Sequence, residues 1–253
     1  MELRDKVALV TGGARRVGKA IALALAREGM HVFVHYGHAE EAARETVAEI
    51  QAMGVRAASF RADLHDPEQI AALFAALEAE FGRLDVLVNS AANFVRQPFE
   101  EGTVQDWKNV MQVNLRAPYL CTQHAARLMR RTPRPPDQPA AVVNITDLIG
   151  LRPRRNFTLH GVSKAGLVHL TRAAALELGP DVRVNAVAPG LIMPPTYMEP
   201  ESPLWQAMGA RVPLERTGHP DHVGQAVVFL ARHDYITGIV LPVDGGQSLL
   251  SEG

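Results

Sequence analysis

Cysteine is nearly absent, with Cys121 the only one in 253 residues. An intrachain disulfide therefore cannot form, and a zinc site built on several thiolates is excluded. No apolar run approaches the ~20 residues needed to cross a bilayer. An excess of positive charge is also missing. Lys+Arg number 26 against Asp+Glu 27, so nothing supplies the field that nucleic acid or an anionic membrane surface selects. The opening residues, MELRDKVALV, carry Glu2 and Asp5 and run straight into a strand-like segment. That layout differs from a secretory signal, and the expected compartment is the cytoplasm. Tyrosine is scarce too, with four, at positions 36, 119, 197 and 235. The remaining composition, 47% hydrophobic and 21% charged, is that of a globular chain able to bury roughly 70–75% of its unfolded surface.

Short apolar runs alternate with stretches of helical period. Strands are expected at residues 6–11, 31–35, 57–61, 86–89, 141–146, 183–188 and 239–243. Most lack polar/apolar alternation (VALV, VFV, VLV, VVNI), which suits strands covered on both faces of a parallel sheet. Helices are expected at 17–28, 39–53, 67–81, 104–129, 157–178 and 220–231. Gly29, Gly54, Gly82 and Gly179 stand where helices should end, and Asp66-Pro67 reads as an N-cap followed by proline at the first helical position. Repeated strand–helix units imply an α/β fold, a doubly wound parallel sheet of about seven strands with helices on both faces. No break divides residues 1–253, so one domain is expected. Arg130 to Pro139, rich in proline and arginine, reads as a solvated connection. Residues 189–215 begin at a strand's C-terminal end, where α/β sheets bind ligands, and read as a substrate-covering loop.

Thr11-Gly12-Gly13-Ala14-Arg15-Arg16-Val17-Gly18 joins the first strand to the first helix. Glycine allows a tight turn and close backbone approach, and free N–H groups at the helix start can hold a pyrophosphate. The second strand ends His35-Tyr36-Gly37-His38 with no carboxylate before Glu40. An NAD-specific site usually places an acidic residue there, so the arginines favour the extra phosphate of NADPH. Read plainly, His35 and His38 are loop residues and Asp63 is a helix-approach cap.

This glycine turn, with Asp63-Leu64, Asn89-Ser90-Ala91, Asn114, Lys164 and Pro189-Gly190 in order and at the right spacings, resembles the short-chain dehydrogenase/reductase family along essentially the whole chain. Arg16 stands where that family normally has glycine, and in this the turn resembles the pteridine reductase branch. The resemblance implies a cofactor site of Gly12, Arg15, Arg16, Val17, Gly18, His35, Tyr36, His38, Asp63, Leu64, Asn89, Ala91, Lys164, Pro189, Gly190 and Leu191. Pteridine reductases carry an Arg-Ser pair where His38-Ala39 stands here, so part of the phosphate clamp is altered.

In the wider family a serine and a YxxxK pair carry the chemistry. Lys164 matches the lysine, but four residues earlier the chain has His160. Residues i and i+4 share a helix face about one turn apart, so His160 projects where the tyrosine would. Thirteen residues before it stands Asp147, where most members have serine and pteridine reductases have aspartate. Phe94 falls where the branch stacks an aromatic ring on the pterin. Asn114 matches the asparagine that supports a proton relay to the lysine, and Arg16 could touch both pyrophosphate and a pterin carbonyl. The resemblance thus implies Asp147, His160, Lys164 and Asn114 as the catalytic set, and Arg16, Phe94, Asp147 and His160 against the substrate. A neutral imidazole still carries one N–H to relay, and Asp147 becomes the immediate acid/base partner. Tyr197 is a second conceivable proton donor.

The implied function is NADPH-dependent reduction of the C=N bond of a dihydropterin or a dihydrofolate. Two alternatives stand beside it: a short-chain carbonyl reductase acting on a 3-oxoacyl group or small ketone, and a non-catalytic NADP- or pterin-binding protein. No metal site, nucleic-acid partner or membrane partner is expected. By the same resemblance, helices 104–129 and 157–178 and the segment Val243-Asp244-Gly245-Gly246-Gln247 imply a homodimer or homotetramer.

Overall fold

Every residue of the first strand, β1 (Val7–Thr11), is buried. A strand apolar at successive positions must be covered on both faces, and the computed structural model, which describes residues 1–195, 198, 199 and 201–250, shows how. After β1 come α1 (Arg16–Arg27), β2 (His31–Tyr36), α2 (Glu40–Gln51), β3 (Ala57–Arg61), α3 (Pro67–Phe81) and β4 (Val86–Asn89). Then follow α4 (Val104–Met111), α5 (Ala117–Arg131), β5 (Ala140–Ile145), α6 (Thr158–Leu178), β6 (Val182–Pro189), α7 (Pro203–Ala210), α8 (Pro220–Arg232) and β7 (Val240–Val243). The seven strands lie in the order β3-β2-β1-β4-β5-β6-β7. All neighbouring pairs are parallel, with Ala8 opposite Val32 on one side and Val86 on the other. The α/β doubly wound architecture is therefore as expected.

Two apolar layers sandwich the sheet. Ile21, Leu25, Ile50, Val223, Val227 and Leu230 bring α1, α2 and α8 onto one face. Ile70, Leu73, Phe74, Leu77, Cys121 and Leu128 bring α3 and α5 onto the other. A Cβ on Gly224 would lie 2.9 Å from that of Ala24, so glycine lets α8 close on α1. Leu25 is fully enclosed, and truncation to alanine would cost about 2–5 kcal/mol. Among the described residues no helix is long and apolar enough to cross a membrane.

Strand order reverses between β1 and β4, which opens a crevice at their C-terminal ends, the place where such sheets bind ligands. Three local features differ from expectation, the first two of them on the crevice side of the sheet. The single helix expected over 104–129 is interrupted by a π turn at Gln112–Arg116. Pro118 has no N–H to return to the Asn114 carbonyl, so the ladder slips and Ala117 donates to Gln112 instead. Within 189–215 the chain forms α7, whose N-cap Ser202 accepts from the Trp205 amide. Gly179 follows α6 in an extended conformation, φ −64 and ψ 149, and not in the left-handed form that Gly29, Gly54 and Gly82 adopt.

Candidate active site

The turn between β1 and α1 is built for close approach. Gly12 has φ +64, and a Cβ on Gly18 would stand 2.1 Å from the Gly12 carbonyl oxygen. Arg16 also has a positive φ of 53, a conformation that costs an L-residue about 1–3 kcal/mol. The N-cap residue Arg15 makes no side-chain cap hydrogen bond, and the first turn of α1 holds no acidic residue. The opening amides are thus left without a protein anion, which suits a bound diphosphate.

His35 holds this turn from below. The Gly12 amide donates to His35 Nδ1 at 3.0 Å, and His35 Nε2 lies 3.0 Å from the Ala62 carbonyl. A ring that accepts at one nitrogen and donates at the other is neutral. Burial lowers the His35 pKa from its usual value, against a smaller upward pull from the Ala62 carbonyl and Asp63. The His35 backbone carbonyl also accepts from Gly13 at 3.0 Å. Sequence reasoning put His35 against the cofactor; its ring instead lies under the turn, because both nitrogens are already taken.

Other expected cofactor residues divide between the crevice and the core. Arg15, His38 and Asp63 are exposed. The Asp63 pKa is lowered mainly by the His65 amide, and its Oδ1 also lies 2.8 Å from His65 Nδ1. Tyr36 and Val17 pack at the edge of the core. The side chains of Leu64 and Asn89 are buried, and Asn89 donates to Asn144 Oδ1 at 2.8 Å. Gly12 approaches Ala91 so closely that a Cβ would meet Ala91 Cα at 3.0 Å. Pro189 ends β6, Gly190 donates to Val243, and the Leu191 carbonyl accepts from Gly218. Arg16 does not turn toward the β2 end. Its guanidinium donates to the Pro194 carbonyl at 2.6 Å, tying the glycine turn to the segment after β6. Tyr197 lies outside the described residues.

At the other end of the crevice, three elements, the end of β5, the π turn and α6, bring Asp147, Asn114, His160 and Lys164 together. Asp147 follows β5 and spends one oxygen on the amide of Ile149 at 2.8 Å. Its other oxygen is 3.3 Å from His160 Nε2. His160 Nδ1 faces a second acceptor, the Asn93 carbonyl, at 3.3 Å. The ring is 2% exposed, and Phe94 meets it edge-on at 4.8 Å between centroids. Phe94 is itself 50% exposed, with Phe157 beside it at 5.3 Å.

One helical turn beyond His160, the buried Lys164 donates from Nζ to the Ile145 carbonyl at 2.8 Å. Burial pushes its pKa down to about 8, against an upward pull from Asp147. Asn114 sits in the π turn, where its Nδ2 donates to the Asn93 carbonyl at 2.9 Å and Ser163 Oγ at 3.1 Å. Its Oδ1 accepts the Asn93 amide at 2.7 Å.

Sequence reasoning missed three participants. Asn93 links Asn114 to His160 through its backbone, a role its side chain could not announce. Ser163 joins the same network. Gly150 lets the turn after Asp147 lie on α6, since a Cβ there would meet Lys164 Cβ at 2.8 Å. A glycine three residues past a candidate aspartate was the available signal for it. Among the described residues no group of three or more His, Cys, Asp or Glu side chains could hold a metal.

The chain matches the family model described as enoyl-(acyl carrier protein) reductase over residues 12–248. It is 35% identical over 245 residues to the 3-oxoacyl-[acyl-carrier-protein] reductase FabG of Staphylococcus aureus strain Mu50, covering 96% of this chain and 98% of that protein. Among solved structures it resembles FolM alternative dihydrofolate reductase 1 from Brucella canis, complexed with NADP. The TM-score is 0.90 at 30% identity, covering 100% of this chain and 97% of that one. A blue fluorescent protein from a metagenomic library, in complex with NADPH, has a TM-score of 0.87 at 33% identity, with 98% and 99% coverage.

Proposed function

The chain belongs to the short-chain dehydrogenase/reductase family of oxidoreductases, and on that premise we propose that it is an NADPH-dependent reductase of a dihydropterin or dihydrofolate C=N bond. The observation that carries this reading is the Asp147–His160 pair at 3.3 Å beneath the half-exposed ring of Phe94. A flat heteroaromatic ring can stack on Phe94, while Arg16 can offer its remaining N–H groups to a pterin carbonyl. FolM, a dihydrofolate reductase by name, has the same overall fold and favours the same substrate class.

Bound NADPH supplies the hydride to the substrate carbon. The chain's own residues supply the proton to the nitrogen. Asp147 is the more accessible of the pair, its side chain 26% exposed against 3% for His160, so its Oδ2 meets the substrate. A proton shared between that oxygen and His160 Nε2 is delivered by Asp147 to the imine nitrogen, giving CH–NH, and solvent reaching the more exposed Asp147 replaces it. Lys164 holds a cation behind the pair, and Asn114 fixes the Asn93 carbonyl against the far side of the imidazole. The segment that leaves β6, which Arg16 anchors through Pro194, covers the substrate. NADPH is preferred over NADH because β2 ends without a carboxylate.

A second reading, reduction of a 3-oxoacyl group, draws on the 35% identity to the Staphylococcus reductase. NADPH oxidation measured with dihydrobiopterin, dihydrofolate and an acetoacetyl thioester separates the two. Faster turnover of the pterin or folate supports the first. Preference for the thioester overturns it. Measurable NADPH binding with no turnover of any would make this a binding protein without catalysis. We also propose assembly as a homodimer or homotetramer, which light scattering on the purified chain would establish.

A further inference from the structure

If Arg16 is engaged at Pro194, the cation for the extra phosphate of NADPH must come from elsewhere. β3 ends at Arg61, paired in register with Tyr36, the last residue of β2. The Arg61 side chain is exposed, and its Nε donates to the Gly37 carbonyl at 3.2 Å. This lays the guanidinium along the segment that leaves β2, just where a carboxylate would mark an NAD-specific site. The space there is open, since a Cβ on Gly37 would meet nothing within 4 Å.

Neighbouring acids are already occupied. Glu40 pairs with Arg44 at 2.7 Å, Glu41 lies 3.8 Å from the same arginine, and Asp63 holds His65 at 2.8 Å. Among the described residues Arg61 has no salt bridge and no hydrogen bond from its terminal nitrogens. A guanidinium held by one N–H with its fork free is suited to a phosphate.

We propose that Arg61 is a specificity-determining residue that receives the adenosine 2′-phosphate beside Gly37, with the exposed Arg15 contributing from the glycine turn. The proposal rests on the NADPH preference above and assigns it to a strand not counted in the glycine-turn motif. Arg61 is too far along the sequence from that motif for spacing to reveal it; the parallel pairing of β2 with β3 brings it there.

Calorimetric titration of adenosine 2′,5′-bisphosphate and 5′-AMP into the wild-type chain, R61Q and R61K tests this without turnover. The wild type should bind the bisphosphate more tightly than AMP. R61Q should weaken the bisphosphate roughly tenfold and leave AMP within about twofold, while R61K restores part of the difference. An unchanged preference in R61Q overturns the assignment. So does an equal loss for both nucleotides, which would mean that Arg61 only shapes the Gly37 segment. Equal binding of the two ligands by the wild type would instead remove the NADPH reading itself.

Discussion

Two buried histidines stand at opposite ends of one crevice, and the groups that hydrogen-bond to them differ in kind. His35 lies between an amide that donates to it and a carbonyl that accepts from it. His160 lies between two acceptors, the Asn93 carbonyl and the Asp147 carboxylate. Both rings are 2% exposed, so burial does not separate them. The first environment holds a neutral ring in one tautomer, because a proton on Nδ1 would point at the Gly12 N–H. The second leaves room for N–H groups on both nitrogens. One histidine is a strut and the other can carry a proton.

The largest effect expected from breaking that contrast is on turnover. His160→Leu should lower kcat by about 10²–10⁴-fold, the usual contribution of general acid catalysis, while NADPH affinity stays within about twofold. Steady-state rates and NADPH titration check both, and an unchanged kcat would strip His160 of its chemistry. Asp147→Asn keeps an oxygen for the Ile149 amide but removes the carboxylate from His160. It should cost about 10²-fold in kcat with the melting temperature retained. Full activity in that variant would move the acid elsewhere.

His35→Leu should act in the opposite sense. It strips the Gly12 amide and the Ala62 carbonyl of their partner, so stability should fall by about 1–3 kcal/mol. NADPH binding should weaken several-fold, and kcat at saturating cofactor should stay near wild type. Chemical denaturation and titration would show this, and a large fall in kcat would erase the distinction.

The smallest effects are in pH. The lowered pKa of His35 means that the unfolded chain takes up its proton first as pH falls. The stability His35 provides is therefore present above about 6.5 and lost as pH drops through the folded value. His35→Leu should flatten this acid slope in denaturation curves. Lys164 behaves conversely toward activity. With its pKa at about 8, its cation is present below that pH and lost above it, so kcat should decline on the alkaline side. A rate that stays level to pH 9.5 would remove the cation from the mechanism.

Much of the fold was legible because its signals are local. Apolar runs such as VALV and VVNI mark strands covered on both faces, and Asp66-Pro67 marks the start of α3, where Asp66 accepts from Glu68. The interruption at Gln112–Arg116 was legible only in part. Pro118 sits in an otherwise helical pattern, but which way the ladder would slip depends on Asn114 finding Asn93 and Ser163. Helix α7 also had a local signal, Ser202-Pro203, within a segment whose prolines suggested only irregular chain. In the site, the i, i+4 spacing placed His160 beside Lys164 on α6. The partners of His35 were hidden, since Gly12 and Ala62 meet it through backbone atoms whose positions depend on sheet register. The tie from Arg16 to the Pro194 carbonyl was hidden for a related reason: the direction of a long side chain depends on the acceptor it finds.

The solitary cysteine has a practical meaning for work at the bench. Cys121 is 1% exposed within α5, and burial pushes its pKa up to about 12. At neutral pH on the order of one thiol in 10⁵ is ionised, so maleimide reagents meet a silent background. A His38→Cys variant would carry one addressable sulfur, and a fluorophore there would watch the nucleotide arrive at the end of β2. Left native, Cys121 is its own unfolding clock, taking up label only when α5 leaves the sheet.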